Sequence, residues 1–171
     1  FMQPKAENYT EKAWAAIVSA QNLAHNKRNQ QIEAEHLLFA LLAEDGIALD
    51  ALKKCGCSIA NLKTNLETYI NQQPKLHSNP ESIYVGKSLN QIFEEAEVLK
   101  QSFGDNFISV EHLLIAISKD NRCGQRFLSN ENTTNAKLYS AVEHLRGKKK
   151  VTNQHPEKTY LSLERYGRDL T

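Results

Sequence analysis

The sequence predicts an all-α domain: eight helices built as a tandem duplication of a four-helix repeat, with an internal pseudo-two-fold. Three observations carry that expectation. Residues 32–41 read Ile-Glu-Ala-Glu-His-Leu-Leu-Phe-Ala-Leu, and residues 108–117, 76 positions on, read Ile-Ser-Val-Glu-His-Leu-Leu-Ile-Ala-Ile. A repeat of that period marks one supersecondary unit used twice. The register also holds without a gap: Ala20 pairs with Ala96, Leu23 with Leu99, Ile32 with Ile108, Glu35 with Glu111, His36 with His112, Leu52 with Leu128, Leu62 with Leu138 and Glu67 with Glu143. Most shared positions are apolar, so the duplication constrains packing first. Finally, apolar residues recur at helical spacing in both copies. Contacts local to each half are expected to predominate.

The elements follow in order. Ala13, Ile17, Ala20 and Ala24 form one helix face. Thr10 precedes it as an N-cap, its hydroxyl able to accept a free first-turn amide. Residues 26–31 are a polar connection to a second helix over 34–44, whose dense Leu content marks it as buried. Asp45-Gly46 stops it, a short helix spans 47–55, and Gly56 ends that one. Ser58 opens a fourth helix with Ile59, Leu62, Leu66 and Tyr69 on one stripe. Residues 71–86, with Pro74, Pro80 and Gly86, break the pattern. The repeat then restarts with a fifth helix carrying Leu89, Ile92, Phe93, Ala96 and Leu99. Gly104-Asp105-Asn106 turns the chain, Ser109 caps a helix over 110–119, and further helices are expected over 123–129 and 133–146, the last presenting Leu138, Val142 and Leu145. The expected organisation is a start at 1–7, repeat one at 8–72, a linker at 73–86, repeat two at 87–147 and a flexible linker at 148–171. Phe1 ahead of Met2 reads as an added residue before the natural start.

Composition narrows the function classes. The 171 residues are 40% hydrophobic and 24% charged, as expected of a globular domain with a core. A formal charge of +1 lacks the basic excess that predicts nucleic-acid binding. The three-lysine run 148–150 reads as a solvated patch. No apolar run reaches the roughly 18 residues of a membrane span, and no signal-peptide core is present, so a cytoplasmic location is expected. Three cysteines, Cys55, Cys57 and Cys123, do not suggest a disulfide framework. Cys55-Gly56-Cys57 lacks the spacing of a zinc or redox pair and reads as small residues around a helix-ending glycine.

The two Glu-His-Leu-Leu motifs, the stretch from Gly104 through Leu114, the opening Thr10-Glu11-Lys12-Ala13-Trp14 and the closing Leu163-Glu164-Arg165-Tyr166-Gly167-Arg168-Asp169-Leu170-Thr171 together resemble one family. It is the N-terminal domain of the Clp heat-shock ATPases, and the closing residues favour the ClpB disaggregase branch. The resemblance covers residues 8–171. It implies a client-engaging domain above an ATP-driven hexameric ring that works with a DnaK-type chaperone on unfolded or aggregated polypeptide. The chain contains no Gly-x-x-x-x-Gly-Lys-[Ser/Thr] loop, so ATP and Mg belong to a longer parent and no cofactor is expected here. The piece is expected to be monomeric and not an enzyme by itself. The alternative within the family is a ClpC-like domain that docks a folded adaptor or a phosphorylated-arginine tag, or an accessory subunit of the Clp protease.

The resemblance further implies roles in client engagement for Thr10, Asp105 and Glu111. Each residue also has an ordinary structural reading: a cap at Thr10, a turn at Asp105, and a first-turn carboxylate favoured by the helix dipole at Glu111. The expected binding surface is an apolar groove rimmed by acidic residues, with Phe93, Leu99, Phe103 and Phe107 as its apolar candidates. Phe93 and Leu99 equally fit plain core positions. His36 and His112, one per repeat, do not form a metal set and are expected to hold hydrogen-bonded rings at helix starts. No Ser/His/Asp or Cys/His grouping suggests nucleophilic catalysis.

Overall fold

The computed structural model describes residues 4–155. The closing segment on which part of the resemblance rests, and the first three residues, lie outside the described residues. Thr10 caps the first helix, its Oγ1 accepting the Ala13 N–H at 3.2 Å. Eight helices follow among the described residues: α1 (Glu11–Asn26), α2 (Ala34–Leu41), α3 (Ile47–Lys54), α4 (Ile59–Gln72), α5 (Lys87–Ser102), α6 (Val110–Ile117), α7 (Gly124–Ser129) and α8 (Asn135–Arg146). Ser58 caps α4 through its hydroxyl, and Gly56, at φ +87°, ends the turn after α3. In α8 the inward stripe is Leu138, Ala141, Val142 and Arg146. Leu145, expected inside, is 41% exposed. The burial of Arg146 is explained by its partner, described below.

Two short extended segments were not legible as strands: β1 (Gln31–Ile32) and β2 (Tyr84–Val85) pair in parallel. A single bridge, Tyr9 to Ile108, is the same pairing moved by the 76-residue shift. Its hydrogen bonds repeat as well: Thr10 N–H donates to the Ile108 carbonyl and Gly86 N–H to the Ile32 carbonyl, both at 2.9 Å. The segment before the first helix of each half therefore lies against the segment before the second helix of the other half.

The helices exchange in the same way. α1 packs on α2, and α5 on α6, within a half. But α3 packs on α8, α4 on α7 and α2 on α6, across halves. The most extensive helix pairs stay within a half, as expected, and the cross-half pairs join the two copies into one core. A two-turn helix such as α3 or α7 is too short to stand alone in water, and it takes its packing partner from the other copy. The core is one cluster centred on α2 and α6, where Leu37, Leu38, Leu113, Leu114, Ile115 and Ile117 are almost fully buried.

The polar connections are fastened rather than loose. At the α1–β1 turn Arg28 takes φ +58°, and its counterpart Gly104 takes φ +74°. Across the first turn runs the segment after α4: Leu76 N–H donates to the Arg28 carbonyl at 2.8 Å, and Asn29 Nδ2 donates to the Pro74 carbonyl at 3.1 Å. Across the second turn runs the segment after α8. Val151 is fully buried there, its carbonyl accepting the Asn106 N–H at 2.7 Å. Residues 149–155 thus lie along the domain, where the sequence suggested a free linker.

The pairing of segments exposes a complementary exchange of volume. The helix cap Thr10 has Gly86 as its counterpart, and Ser109 has Glu33. A Cβ at Gly86 would run into the Glu33 carboxyl. Gly86 has φ −66°, which any residue adopts, so only space decides. The atoms in the way are the movable end of the half-buried Glu33 side chain, so Gly86→Thr is expected to destabilise the fold by about 1 kcal/mol, the low end of overpacking. Adding Glu33→Ser, which recreates the other half's pair, should restore most of that loss; urea denaturation of the two single variants and the double variant measures the coupling.

Candidate functional site

Asp105 follows the left-handed Gly104 and is 6% exposed. Its carboxylate collects four donors. The Arg146 guanidinium gives two bonds, Nη1 to Oδ2 and Nη2 to Oδ1, each 2.7 Å. His112 Nε2 donates to Oδ2 at 2.7 Å and the Val151 N–H to Oδ1 at 2.8 Å. His112 Nδ1 accepts the Ser109 N–H at 2.9 Å, which fixes the Nε2–H tautomer. Burial by itself would push the Asp105 carboxyl up. The bonds from His112, Arg146 and Val151 outweigh it and hold the group well below the usual carboxylate range.

Glu111 lies beside this cluster, fully buried, with its Oε2 3.6 Å from Arg146 Nη1. The Phe103 ring covers the cluster: the Arg146 guanidinium carbon is 4.9 Å from its centroid, the His112 ring 5.5 Å, and Tyr139 stacks on it at 5.1 Å. Thr10 is fully buried as well. The carboxylates expected on the rim of a groove are therefore inside the domain. A short acidic side chain placed at a turn or a helix start is drawn in when a cation and amide N–H groups wait there.

The first repeat solves the same burial differently. His36 Nδ1 accepts the Glu33 N–H at 2.9 Å, and its Nε2 donates to Asn29 Oδ1 at 2.9 Å. Asn29 stands where Asp105 does, and Ile70 stands where Arg146 does. Glu35, the counterpart of Glu111, takes Arg122 from the other repeat through both oxygens, at 2.5 and 3.2 Å. Burial, with a smaller push from Arg122, lowers the His36 ring to about 4, against the opposing pull of Glu35. Burial raises the thiols of Cys55 and Cys123 and pushes Cys57 up to about 11, which leaves them poor nucleophiles. Among the described residues no group of His, Cys, Asp and Glu could hold a metal ion, and no helix is long and apolar enough to cross a membrane.

An apolar groove does exist, on the face where α1 and α5 meet. It encloses about 260 Å³ between Pro4, Trp14, Ile17 and Val18 on one side and Ile83, Val85, Leu89 and Phe93 on the other. Tyr9, 4% exposed, props its floor, with ring centroids 6.3 Å from Phe93 and 5.7 Å from Trp14. Of the apolar candidates only Phe93 lines it. Leu99 is core, Phe103 covers the Asp105 cluster, and half-buried Phe107 is outside the lining. Sequence reasoning missed Trp14 and Val18. Their signal was present: with Ile17 they add a second apolar edge to α1, beside the alanine stripe.

The family model described as Clp repeat (R) N-terminal domain matches residues 8–131. The chain is 48% identical over 170 residues to chaperone protein ClpB 1 of Parasynechococcus marenigrum and 46% identical over 171 residues to chaperone protein ClpB 2 of Synechocystis sp.. Each match covers 99% of this chain but 20% of the relative, so the chain spans about one fifth of their length. The Hsp104 N-terminal domain from Candida albicans superposes with a TM-score of 0.80 at 18% identity, covering 88% of this chain and 99% of that one. The N-terminal domain of the chaperone ClpD from Arabidopsis thaliana gives 0.63 at 20% identity, covering 84% and 97%.

Two stability predictions follow from the buried groups. Folded His36 stays neutral down to about pH 4, while an unfolded histidine takes up its proton near 6.5. Its contribution is complete above pH 6.5 and is lost as pH falls toward 4, about 2 kcal/mol between pH 7.5 and pH 5. Urea melts at those two pH values should show that loss, and His36→Gln should flatten the slope between them. Asp105→Asn leaves Arg146 buried without its carboxylate and should cost about 3 kcal/mol or more by the same measurement.

Proposed function

The chain belongs to the Clp repeat N-terminal domain family, and from that membership we propose that it is the client-engaging domain of a ClpB-type disaggregase. The observation that carries this reading is the groove between α1 and α5. Among the described residues its lining carries no charged side chain, and Trp14 and Val18 at its edge are half-buried and 39% exposed respectively. An extended client offers apolar side chains in unpredictable order. A shallow apolar surface accepts many of them without reading a sequence.

Energetics set the strength. One client Leu or Phe side chain moved out of water contributes roughly 1.5–3 kcal/mol. Ordering the client chain opposes much of this, so affinity stays weak and release is fast. Weak capture suits a domain that hands its client on. The parent would be a cytoplasmic, hexameric AAA+ ring that uses ATP and Mg and receives clients with a DnaK-type chaperone. The 171-residue piece acts by binding and would be monomeric.

In this reading Trp14, Ile17, Val18, Val85, Leu89 and Phe93 meet the client. Thr10, Asp105, Glu111, Leu99, Phe103 and Phe107 serve from beneath or beside the groove, because burial or position keeps them from its lining.

An NMR titration with a permanently unfolded polypeptide tests the proposal. Saturable shifts are expected at Trp14, Val18, Val85 and Phe93. Val18→Asp, at an exposed position, should weaken binding at least tenfold without lowering the melting temperature. Shifts confined to other faces, or seen only with a folded partner, would overturn the client reading in favour of adaptor docking.

A further inference from the structure

The residues after α8 do not leave the domain directly. Arg146 Nη2 donates to the Lys149 carbonyl at 2.8 Å, and Lys150 Nζ donates to the Phe103 carbonyl at 2.6 Å. Val151 is then buried over the Gly104–Asp105 turn, tied at both its N–H and its carbonyl. The Gln154 carbonyl accepts the Glu11 N–H at 2.9 Å, at the first residue of α1. The Gln154 side-chain amide donates to the Tyr9 carbonyl at 3.0 Å and reaches the Ala6 carbonyl at 3.4 Å. His155 Nδ1 lies 2.7 Å from Glu11 Oε1.

The segment 4–9 is the other party to these bonds, and it is also part of the groove. Pro4 lines the groove, and the Tyr9 ring touches both Trp14 and Phe93. In the first repeat the seat over the corresponding turn, Arg28–Asn29, is filled by the segment that must continue into β2. That occupant is held at both ends by helices. In the second repeat the seat is filled by residues 149–155, which follow α8 and are held there by the bonds of Val151 and Gln154.

We propose that residues 149–155 are a strap that sets the wall of the α1–α5 groove, so that docking of the strap and occupancy of the groove favour one another. The first half of this statement concerns the domain alone, and the second rests on the client reading above. The path is short: Asp105 holds Val151, Gln154 holds the backbone of segment 4–9, and Tyr9 carries the position of that segment to Trp14 and Phe93. Asp105 is here a positioning residue, acting on the groove through the strap. Coupling of this kind is reciprocal: whatever binds the groove in its strapped form must tighten the strap.

Two variants release the strap without touching the central core: Gln154→Ala and Val151→Asn. In the full 171-residue chain, amide hydrogen exchange reads docking at residues 149–155. Acrylamide quenching of Trp14, the only tryptophan, reads the groove wall. Both variants are expected to raise exchange at 149–155 and at 6–9 at least tenfold and to raise the quenching constant about twofold. Protection in α2 and α6 should stay unchanged. Affinity for an extended apolar peptide should fall at least threefold. Faster exchange at 149–155 with unaltered Trp14 quenching and peptide affinity would overturn the proposal, as would exchange in the wild type too fast for a docked strap. Should the wild type bind no peptide while Trp14 still responds to strap release, the client reading fails, and with it the linkage to occupancy, while the strap as a groove support stands.

Discussion

The domain is organised around an awkward burial performed twice. Each repeat sinks the start of its second helix into the centre of the molecule, and that start carries a glutamate and a histidine side by side. Glu35, His36, Glu111 and His112 are each 1% exposed or less. A buried carboxylate without a cation and a buried imidazole without partners are each costly. Something must therefore reach each helix start. Arg122 comes from the other repeat to Glu35, and Asn29 comes from the preceding turn to His36. On the other side Asp105 comes to His112, and Arg146 comes from the end of α8 to Asp105 and toward Glu111. The place where α7 begins, the inward turn of α8 and the path of residues 149–155 all follow from these needs.

Duplication made two copies of the problem, and the copies have since found different answers. Asn29 with Ile70 is a neutral pair of choices, and Asp105 with Arg146 is a charged pair at the same two positions. Either alone would fail if mixed: an Asp at 29 would face an isoleucine, and an isoleucine at 146 would strand Asp105. Gly86 beside Glu33, with Thr10 and Ser109 at the counterpart positions, shows a linked change in volume instead of charge. Such coordinated differences are what an internal repeat can accumulate when both copies are held in one core and neither can drift independently.

This explains what was legible in the sequence. The helices, the duplication and the caps at Thr10 and Ser58 came from local patterns, and local patterns sufficed because they report local physics. The exchange of α3 and α7 between halves is a long-range fact, invisible to periodicity. Periodicity puts Leu145 on the inward stripe of α8, because only the position of Asp105, 41 residues earlier, makes the Arg146 guanidinium turn inward in its place. The groove was half legible: Phe93 is on the fifth helix as expected, but its facing wall is α1, and nothing local joins Trp14 to Phe93. The rim carboxylates were misplaced for a related reason. A resemblance carries residue roles without carrying depth, and depth decides whether a carboxylate meets a client or a guanidinium.

The groove forms where the pseudo-two-fold breaks its own symmetry. Ile17 and Phe93 are counterparts and face one another near the axis, so the floor is apolar from both sides. The flanking positions differ: Trp14 and Val18 on α1 correspond to Asn90 and Glu94 on α5. Neither Asn90 nor Glu94 enters the lining, whose α5 side is Leu89 and Phe93, so the positions equivalent to Trp14 and Val18 add no apolar surface there. A symmetric apolar cleft would present a larger exposed hydrophobic patch, with a matching tendency to self-associate. A one-sided edge keeps the contact small, which favours brief capture over retention. It also places the sensitive wall on α1, whose leading segment is held by Gln154 and, through Val151, by Asp105. Under the proposed strap, Asp105 governs the groove wall from outside its lining, because that wall contributes only a few weak contacts and losing even one of them is a large fraction of the whole.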